Sequence, residues 1–257
     1  IKAGLDAGDF FVVYQPIVST HTGRMIAAEA LLRWHHPERG LLLPREFLHL
    51  AEESGMIVPV GEWVVRQACR DARAWIDAGL VERAFSVHVN VSGRQLTDGA
   101  FVERVINTIR ELDLLPQQLT LDFDEHTLFG DQPSTLRAIQ ALRRFGVAIA
   151  LDSFGTGVSS LTALRDSTAD VLKLDGTIAS TLGDIDGNNH DPIVRSIIQL
   201  AHALDMEVVA EWVTAPDQLY RLKMLGCDMA QGFLFGEPCA AETFAETAAE
   251  AALGRRG

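Results

Sequence analysis

A closed barrel of parallel strands wrapped by helices is predicted from three observations. Short β-branched runs alternate with segments of helical apolar spacing, and a glycine repeatedly stands between helix and following strand. The third is size: 257 residues at 47% hydrophobic content can bury one full core, and roughly eight strands in that length favour a closed α/β barrel over an open doubly wound sheet. No G-x-G-x-x-G opens a helix after the first strand, which argues against a dinucleotide-binding sheet.

The opening residues Ile1-Lys2-Ala3-Gly4 read as the tail of a helix. Phe10 to Val18 and Met25 to Leu32 are strand-like runs joined by the polar link Ser19–Arg24, which fits an antiparallel hairpin and makes the first strand of the barrel irregular. Pro44-Arg45-Glu46-Phe47 starts a helix with proline in the tolerated first turn, Gly55 stops it, and Glu62 to Ala78 reads as a longer helix. Further strands are predicted at Phe85–Val91, Leu119–Phe123, Val147–Leu151, Val171–Leu174, Val208–Ala210 and Met229–Leu234. Between them, Leu136, Ile139 and Leu142 precede Gly146, Ile193, Ile197, Leu200 and Leu204 form a second helical stripe, and Leu219, Leu222 and Leu225 precede Gly226.

The net charge of −13 and pI near 5.0 exclude a general binder of DNA or RNA polymer or of anionic membrane, because the long-range field repels polyphosphates. Any anionic ligand therefore needs local cations. Cys69, Cys227 and Cys239 form no CxxC pair, which suits reduced packing thiols in a cytoplasmic protein. No apolar stretch approaches the roughly 20 residues of a membrane span, so no membrane contact is expected of this domain. The chain is read as one domain, residues 1–257, cut from a longer multidomain protein.

In such a barrel the ligand site lies at the carboxyl ends of the strands, so polar residues that end apolar runs are its candidates. These are Glu29 in Glu-Ala-Leu-Leu-Arg-Trp, Asn90 in Val-His-Val-Asn, Asp122 in Leu-Thr-Leu-Asp, Asp152 in Ala-Ile-Ala-Leu-Asp, Lys173 in Val-Leu-Lys-Leu-Asp, Glu211 in Val-Val-Ala-Glu and Gln231 in Met-Ala-Gln-Gly-Phe. Carboxylates and an amide make a hard-oxygen site suited to magnesium or manganese, and a lysine among them could orient or deprotonate a water. The structural alternatives are that a single strand-end carboxylate caps a helix, and that Lys173 pairs with Asp175 or Glu211. Six strands ending this way, besides that of Glu29, outweigh the first.

These residues, with Tyr14-Gln15-Pro16-Ile17, Asn90-Val91-Ser92, Asp152-Ser153-Phe154-Gly155-Thr156-Gly157 and Gln231-Gly232-Phe233, resemble the EAL domain across nearly the whole chain. That bacterial signal-transduction module binds or hydrolyses the nucleotide cyclic di-GMP. The resemblance implies a modified TIM barrel and, in active members, two divalent cations that activate a water to give linear pGpG. It puts Glu29, Asn90, Asp122, Asp152 and Glu211 on metal-ligand positions, Lys173 on the water-activating lysine and Glu125 on the loop-ordering glutamate. Arg33 falls on the phosphate-binding arginine, and Gln15, Leu31 and Gln231 on the ligand-binding mouth.

Departures from the family pattern cluster on the second metal. Its paired aspartates read Asp152-Ser153, replacing a carboxylate by a neutral hydroxyl, so Mg2+ or Mn2+ is expected at one site only or at none. At the first metal, Asp122 stands for a glutamate, drawing its carboxylate back by up to about 1.5 Å against a tolerance of roughly 0.2 Å. Asp124, by strand alternation, offers a substitute carboxylate or caps the next segment. Glu211-Trp212-Val213-Thr214-Ala215 puts an indole where the family has glycine and loses a glutamate. Trp212 is expected to pack beneath the mouth, the alternative being that it stacks on a guanine.

The sequence thus predicts a cyclic di-GMP receptor or regulatory module with hydrolysis absent or much reduced, the alternatives being an active phosphodiesterase and a protein-interaction module. The partner candidates besides the nucleotide are a second copy of the chain, a pairing made less secure by Val158 where tyrosine is common, and another protein. Three weaker signals are set aside: Asn90-Val91-Ser92 as a glycosylation sequon, Asp184-Ile185-Asp186-Gly187-Asn188 as a calcium loop, and His35-His36, read as a solvated turn.

Overall fold

The computed structural model describes residues 1–155, 164–165, 167–179, 182 and 191–253. Thr156, Gly157, Val158 and the segment Asp184–Asn188 lie outside the described residues. Ten strands are described: β1 (Phe10–Ser19), β2 (Met25–His36), β3 (Gly40–Leu42), β4 (Ser86–Asn90), β5 (Leu119–Phe123), β6 (Ala148–Phe154), β7 (Val171–Leu174), β8 (Glu207–Ala210), β9 (Met229–Gln231) and β10 (Cys239–Ala240). Eight of them, β1, β2 and β4 to β9, close a barrel through the β1–β2 and β1–β9 pairings. As the hairpin predicts, β1 is antiparallel to both neighbours, while β2, β4 and every later barrel strand run parallel. Strands β3 and β10 are short antiparallel additions to β2 and β1.

Strands β5 and β7 occupy the predicted residues, because each is a β-branched or leucine run bounded by turn residues. The long helix spans Ile57–Asp77, beginning more than a turn before the predicted Glu62. Pro59 sits in its first turn, where the missing N–H has no partner to lose. Pro44–Glu46 is a single 3-10 turn, and the α-helix proper is Leu48–Glu53. β2 runs on through His35 and His36, which pair with β3 and therefore do not form the predicted turn. β9 stops at Gln231 rather than Leu234, since Gly232 then turns the chain. An N-terminal helix, Lys2–Ala7, matches the opening reading. Gly146 and Gly226 end helices Pro133–Phe145 and Pro216–Leu225 with φ of 103° and 87°, which explains the recurring glycine between helix and strand.

Alternation along the strands divides the molecule into two cores. Outward-facing side chains meet the helices: Tyr14 packs edge-on to Trp75 at 4.8 Å between ring centroids and donates its hydroxyl to Asp71 at 2.5 Å, and Phe244 of helix Ala241–Leu253 lies 4.4 Å from Trp75. Inward-facing Ile17, Ala27, Ala150, Val171, Val209 and Met229 form a separate apolar plug inside the barrel. Each large member contributes on the order of 2 kcal/mol of burial.

Candidate functional site

Two residues from the plug, on the same inward face of the same strands, the side chains become polar. Ala27 is followed by Glu29, Ala150 by Asp152, Val171 by Lys173, Val209 by Glu211 and Met229 by Gln231, while antiparallel β1 places Gln15 before Ile17. Asn90 and Asp122 complete the ring from β4 and β5, where they are register partners. All the strand-end candidates therefore meet at one mouth.

At its centre Lys173 Nζ, with no exposed surface, lies 3.1 Å from Glu29, 3.0 Å from Asp122, 3.1 Å from Asp152 and 3.0 Å from Glu211. The pairing with Glu211 matches one sequence reading, whereas Asp175 instead caps the next turn through the Thr177 N–H at 2.8 Å. Gln231 donates to Glu29 Oε2 at 2.6 Å and to Gln15 Oε1 at 3.0 Å, and Asn90 donates to Glu29 Oε1 at 2.8 Å. His88, which the sequence reading passed over, is buried below Asn90 with Nδ1 3.1 Å from Asp122 Oδ1. The alternation Val87-His88-Val89-Asn90 carried that signal, since it turns His88 to the same face as Asn90.

One ammonium among four carboxylates divides them. Burial pushes every carboxyl up and Lys173 pulls each down, so the additional donors decide the direction. His88 helps bring Asp122 down to about 2, and Gln231 and Asn90 help hold Glu29 below its usual range. Asp152 is raised, and Glu211 is pushed up to about 7, by burial and then by neighbouring carboxylates. Lys173 is held well above the ordinary lysine range because burial is outweighed by four anions. Asp122 Oδ2 and Asp152 Oδ1 are buried and receive no well-aligned hydrogen bond. Such surplus anionic oxygen fits magnesium or manganese in kind. Among the described residues no ready metal cage of three such side chains exists, and Lys173 Nζ stands where the carboxylates converge.

The remaining candidates sit around this centre. Arg33 follows Glu29 and Leu31 on the inward face of β2; it is half-buried, with its guanidinium donating to the Leu32 carbonyl at 2.8 Å. Burial lowers its pKa while Glu29 raises it. Glu125 opens helix Glu125–Phe129 with Oε1 buried and no hydrogen-bond partner among the described residues. Asp124 is exposed and caps that helix through the Thr127 N–H at 2.7 Å, so it is the cap and not a substitute ligand.

β6 carries a bulge between Leu151 and Phe154, and within it Ser153 adopts φ 54°. Bulges of this kind re-aim side chains beside functional sites. Trp212 also has a left-handed φ, 58°, which explains why glycine is usual at that position; for an indole it costs about 1 kcal/mol or more. The expectation that Trp212 packs beneath the mouth is wrong. Its positive φ turns the ring outward, where it is 59% exposed and lies over Gly176. Trp212 and Phe233 line a cavity of about 400 Å³ with Gln15, Glu29, Leu31 and Glu211. A larger and more open groove, about 740 Å³, runs past His49, Arg94, Asp124 and His126. The smaller cavity is the candidate site, because Glu29 and Glu211 of the Lys173 cluster line it.

Comparisons with known proteins bear on the family and the fold. Bifunctional diguanylate cyclase/cyclic di-GMP phosphodiesterase MucR of Pseudomonas aeruginosa is 39% identical over 242 residues, which are 94% of this chain but 35% of that protein. An uncharacterized protein of Mycobacterium tuberculosis is 39% identical over 248 residues, 96% of this chain and 80% of the relative. Among solved structures, the PaMucR phosphodiesterase in complex with c-di-GMP superposes with a TM-score of 0.86 at 38% identity, covering 95% of this chain and 97% of that one. The EAL enzyme Bd1971 in its cAMP- and cyclic-di-GMP-bound form gives 0.87 at 33% identity, covering 95% of this chain and 66% of that one. The EAL domain family model matches residues 1–238. With that match laid over the closed barrel and its ring of strand-end carboxylates, the chain belongs to the EAL domain family.

Proposed function

We propose that this domain binds cyclic di-GMP across the mouth of the barrel as a receptor or regulatory module, with hydrolysis absent or much reduced. The observation that carries this reading is the β6 bulge: Asp152 reaches Lys173, whereas the next position offers the hydroxyl of Ser153 in place of a second carboxylate. Support for nucleotide binding comes from the relatives, two of which are solved with c-di-GMP bound. Glu29, Asn90, Asp122, Asp152 and Glu211 would hold magnesium or manganese, at one site. Divalent cations, when bound, supply Lewis acidity and a nucleophilic hydroxide in this class of chemistry. This chain's own part is to seat the ligand: Arg33 brings the local cation that an anionic phosphate needs in a protein of charge −13, and Gln15, Leu31 and Gln231 border its seat. Glu125, at the head of its helix, is proposed as the loop-ordering glutamate.

A working phosphodiesterase is the second reading, favoured by the complete assembly of Glu29, Asn90, Asp122, Asp152 and Glu211 around Lys173. One sample separates the two: purified domain with cyclic di-GMP and excess magnesium or manganese, assayed for bound ligand and for pGpG. Bound nucleotide with little pGpG is expected, together with a large gain in turnover for Ser153→Asp. Aspartate tolerates a left-handed φ better than most residues, so that variant suits the bulge. Rapid metal-dependent conversion by the wild-type protein, abolished in Lys173→Ala, would establish the phosphodiesterase instead. The absence of any binding with or without manganese would leave the protein-interaction module.

The chain spans about a third of MucR, which accords with a single domain working within a longer signalling protein. No helix of the described residues is long and apolar enough to cross a membrane. A cytoplasmic setting and a homodimer belong to the same proposal.

A further inference from the structure

Trp212 and Phe233 present two aromatic side chains, 59% and 63% exposed, at the rim of the same cavity. Exposed rings of this size normally pack away from water, and here both loops are held rigidly in place. The Val213 N–H donates to the Gln231 carbonyl at 3.0 Å, and the Leu234 N–H donates to the Val213 carbonyl at 3.0 Å, stitching the loop after β8 to the loop after β9. Gly232 makes this approach feasible, because a Cβ there would fall 2.2 Å from the Val213 carbonyl oxygen. Gly176 does the same for the indole: a Cβ there would fall 2.1 Å from Trp212 Cγ. The ring is thus supported from behind by bare backbone, with its exposed side at the cavity.

A second observation points to what the rings receive. Gln231, only 3% exposed, lines the same cavity, and while its Nε2 is fully engaged by Glu29 and Gln15, its Oε1 is buried with no hydrogen-bond partner among the described residues. A buried acceptor in that state calls for a hydrogen-bond donor, which an N–H group of a ligand supplies. A planar group combining a π-face with N–H donors on its edge answers both features, and a purine carrying ring and exocyclic N–H groups, such as guanine, is one.

We infer that Trp212, with Phe233 beside it, is a base-stacking residue that sets affinity for a guanine ring. The inference rests on the nucleotide-binding reading above and names the residue that would grip the base. Binding of cyclic di-GMP to wild-type protein, Trp212→Gly and Trp212→Phe, followed by calorimetry and by tryptophan emission, tests it. Glycine at φ 58° is unstrained, so Trp212→Gly is expected to fold with an undiminished melting temperature. Its affinity is expected to fall about tenfold, the order of magnitude of one base–aromatic stack. Trp212→Phe should keep most of the affinity while losing the ligand-induced change in tryptophan emission. Equal affinity of Trp212→Gly and wild type would overturn the stacking role while leaving the nucleotide reading intact. No heat with the wild-type protein would overturn that reading itself, and the stacking role with it.

Discussion

The barrel interior holds two layers only two residues apart on the same strands, and they obey opposite rules. In the lower layer Ile17, Ala27, Ala150, Val171, Val209 and Met229 fill space and leave nothing unsatisfied. In the upper layer one ammonium faces four carboxylates, two buried carboxylate oxygens lack aligned donors, and Gln231 Oε1 lacks a partner among the described residues. The plug supplies stability from packing alone, whereas the ring above it holds surplus negative charge that a bound cation or proton uptake at Asp152 and Glu211 would balance. That the two are stacked on β1, β2, β6, β7, β8 and β9 shows how the fold supports such a site: Gln15, Glu29, Asp152, Lys173, Glu211 and Gln231 each stand on an apolar residue of the plug, while Asn90 and Asp122 stand on His88 and Thr120.

The sharpest way to break this contrast is Lys173→Ala, which leaves four buried carboxylates without their cation. A loss of about 3–5 kcal/mol is expected in ion-free urea denaturation, with part of it restored by manganese. Loss as small as that of a surface substitution would mean the carboxylates are not held by the ammonium. A second test uses pH. Glu211 sits at about 7 in the folded protein against 4.5 for the ordinary group, so the folded state holds its proton more tightly than the unfolded state. Its contribution is full below the unfolded value and lost as pH rises through 7, so ion-free stability should decline from roughly pH 4.5 to 7 by up to on the order of 3 kcal/mol. Denaturation across that window with EDTA should show the decline, and Glu211→Gln should flatten it. The opposite sign applies to Asp122, whose stabilising charge is lost only as pH falls from its ordinary range through about 2. The smallest effect belongs to the plug: Ile17→Val should cost about 1 kcal/mol, equally with and without manganese. A manganese-dependent cost there would show that the two layers are coupled after all.

How far the sequence reached differs between these layers. Period-two alternation made β5 and β7 legible to the residue, because runs such as Leu119–Phe123 are bounded by turn chemistry on both sides. The rule that polar residues ending apolar runs line the mouth brings out Glu29, Asn90, Asp122, Asp152, Lys173, Glu211 and Gln231, all of which meet there. Alternation also marks His88, which that rule omits because it lies two residues before the end of its strand. Helix Ile57–Asp77 starts more than a turn before the expected Glu62, because Pro59 fits its first turn. Asp124 was legible only as an alternative until its side chain was seen to cap Thr127.

The sequence by itself determined the barrel, its antiparallel first strand and the identity of the polar ring, because those follow from local periodicity and from which residues end each strand. Only the tertiary structure decided how one lysine is shared among four carboxylates, which of them are raised and which lowered, and where Trp212 points. Those outcomes depend on distances between strands remote in sequence and on a left-handed φ at a single residue. Neither leaves a repeating trace in the chain.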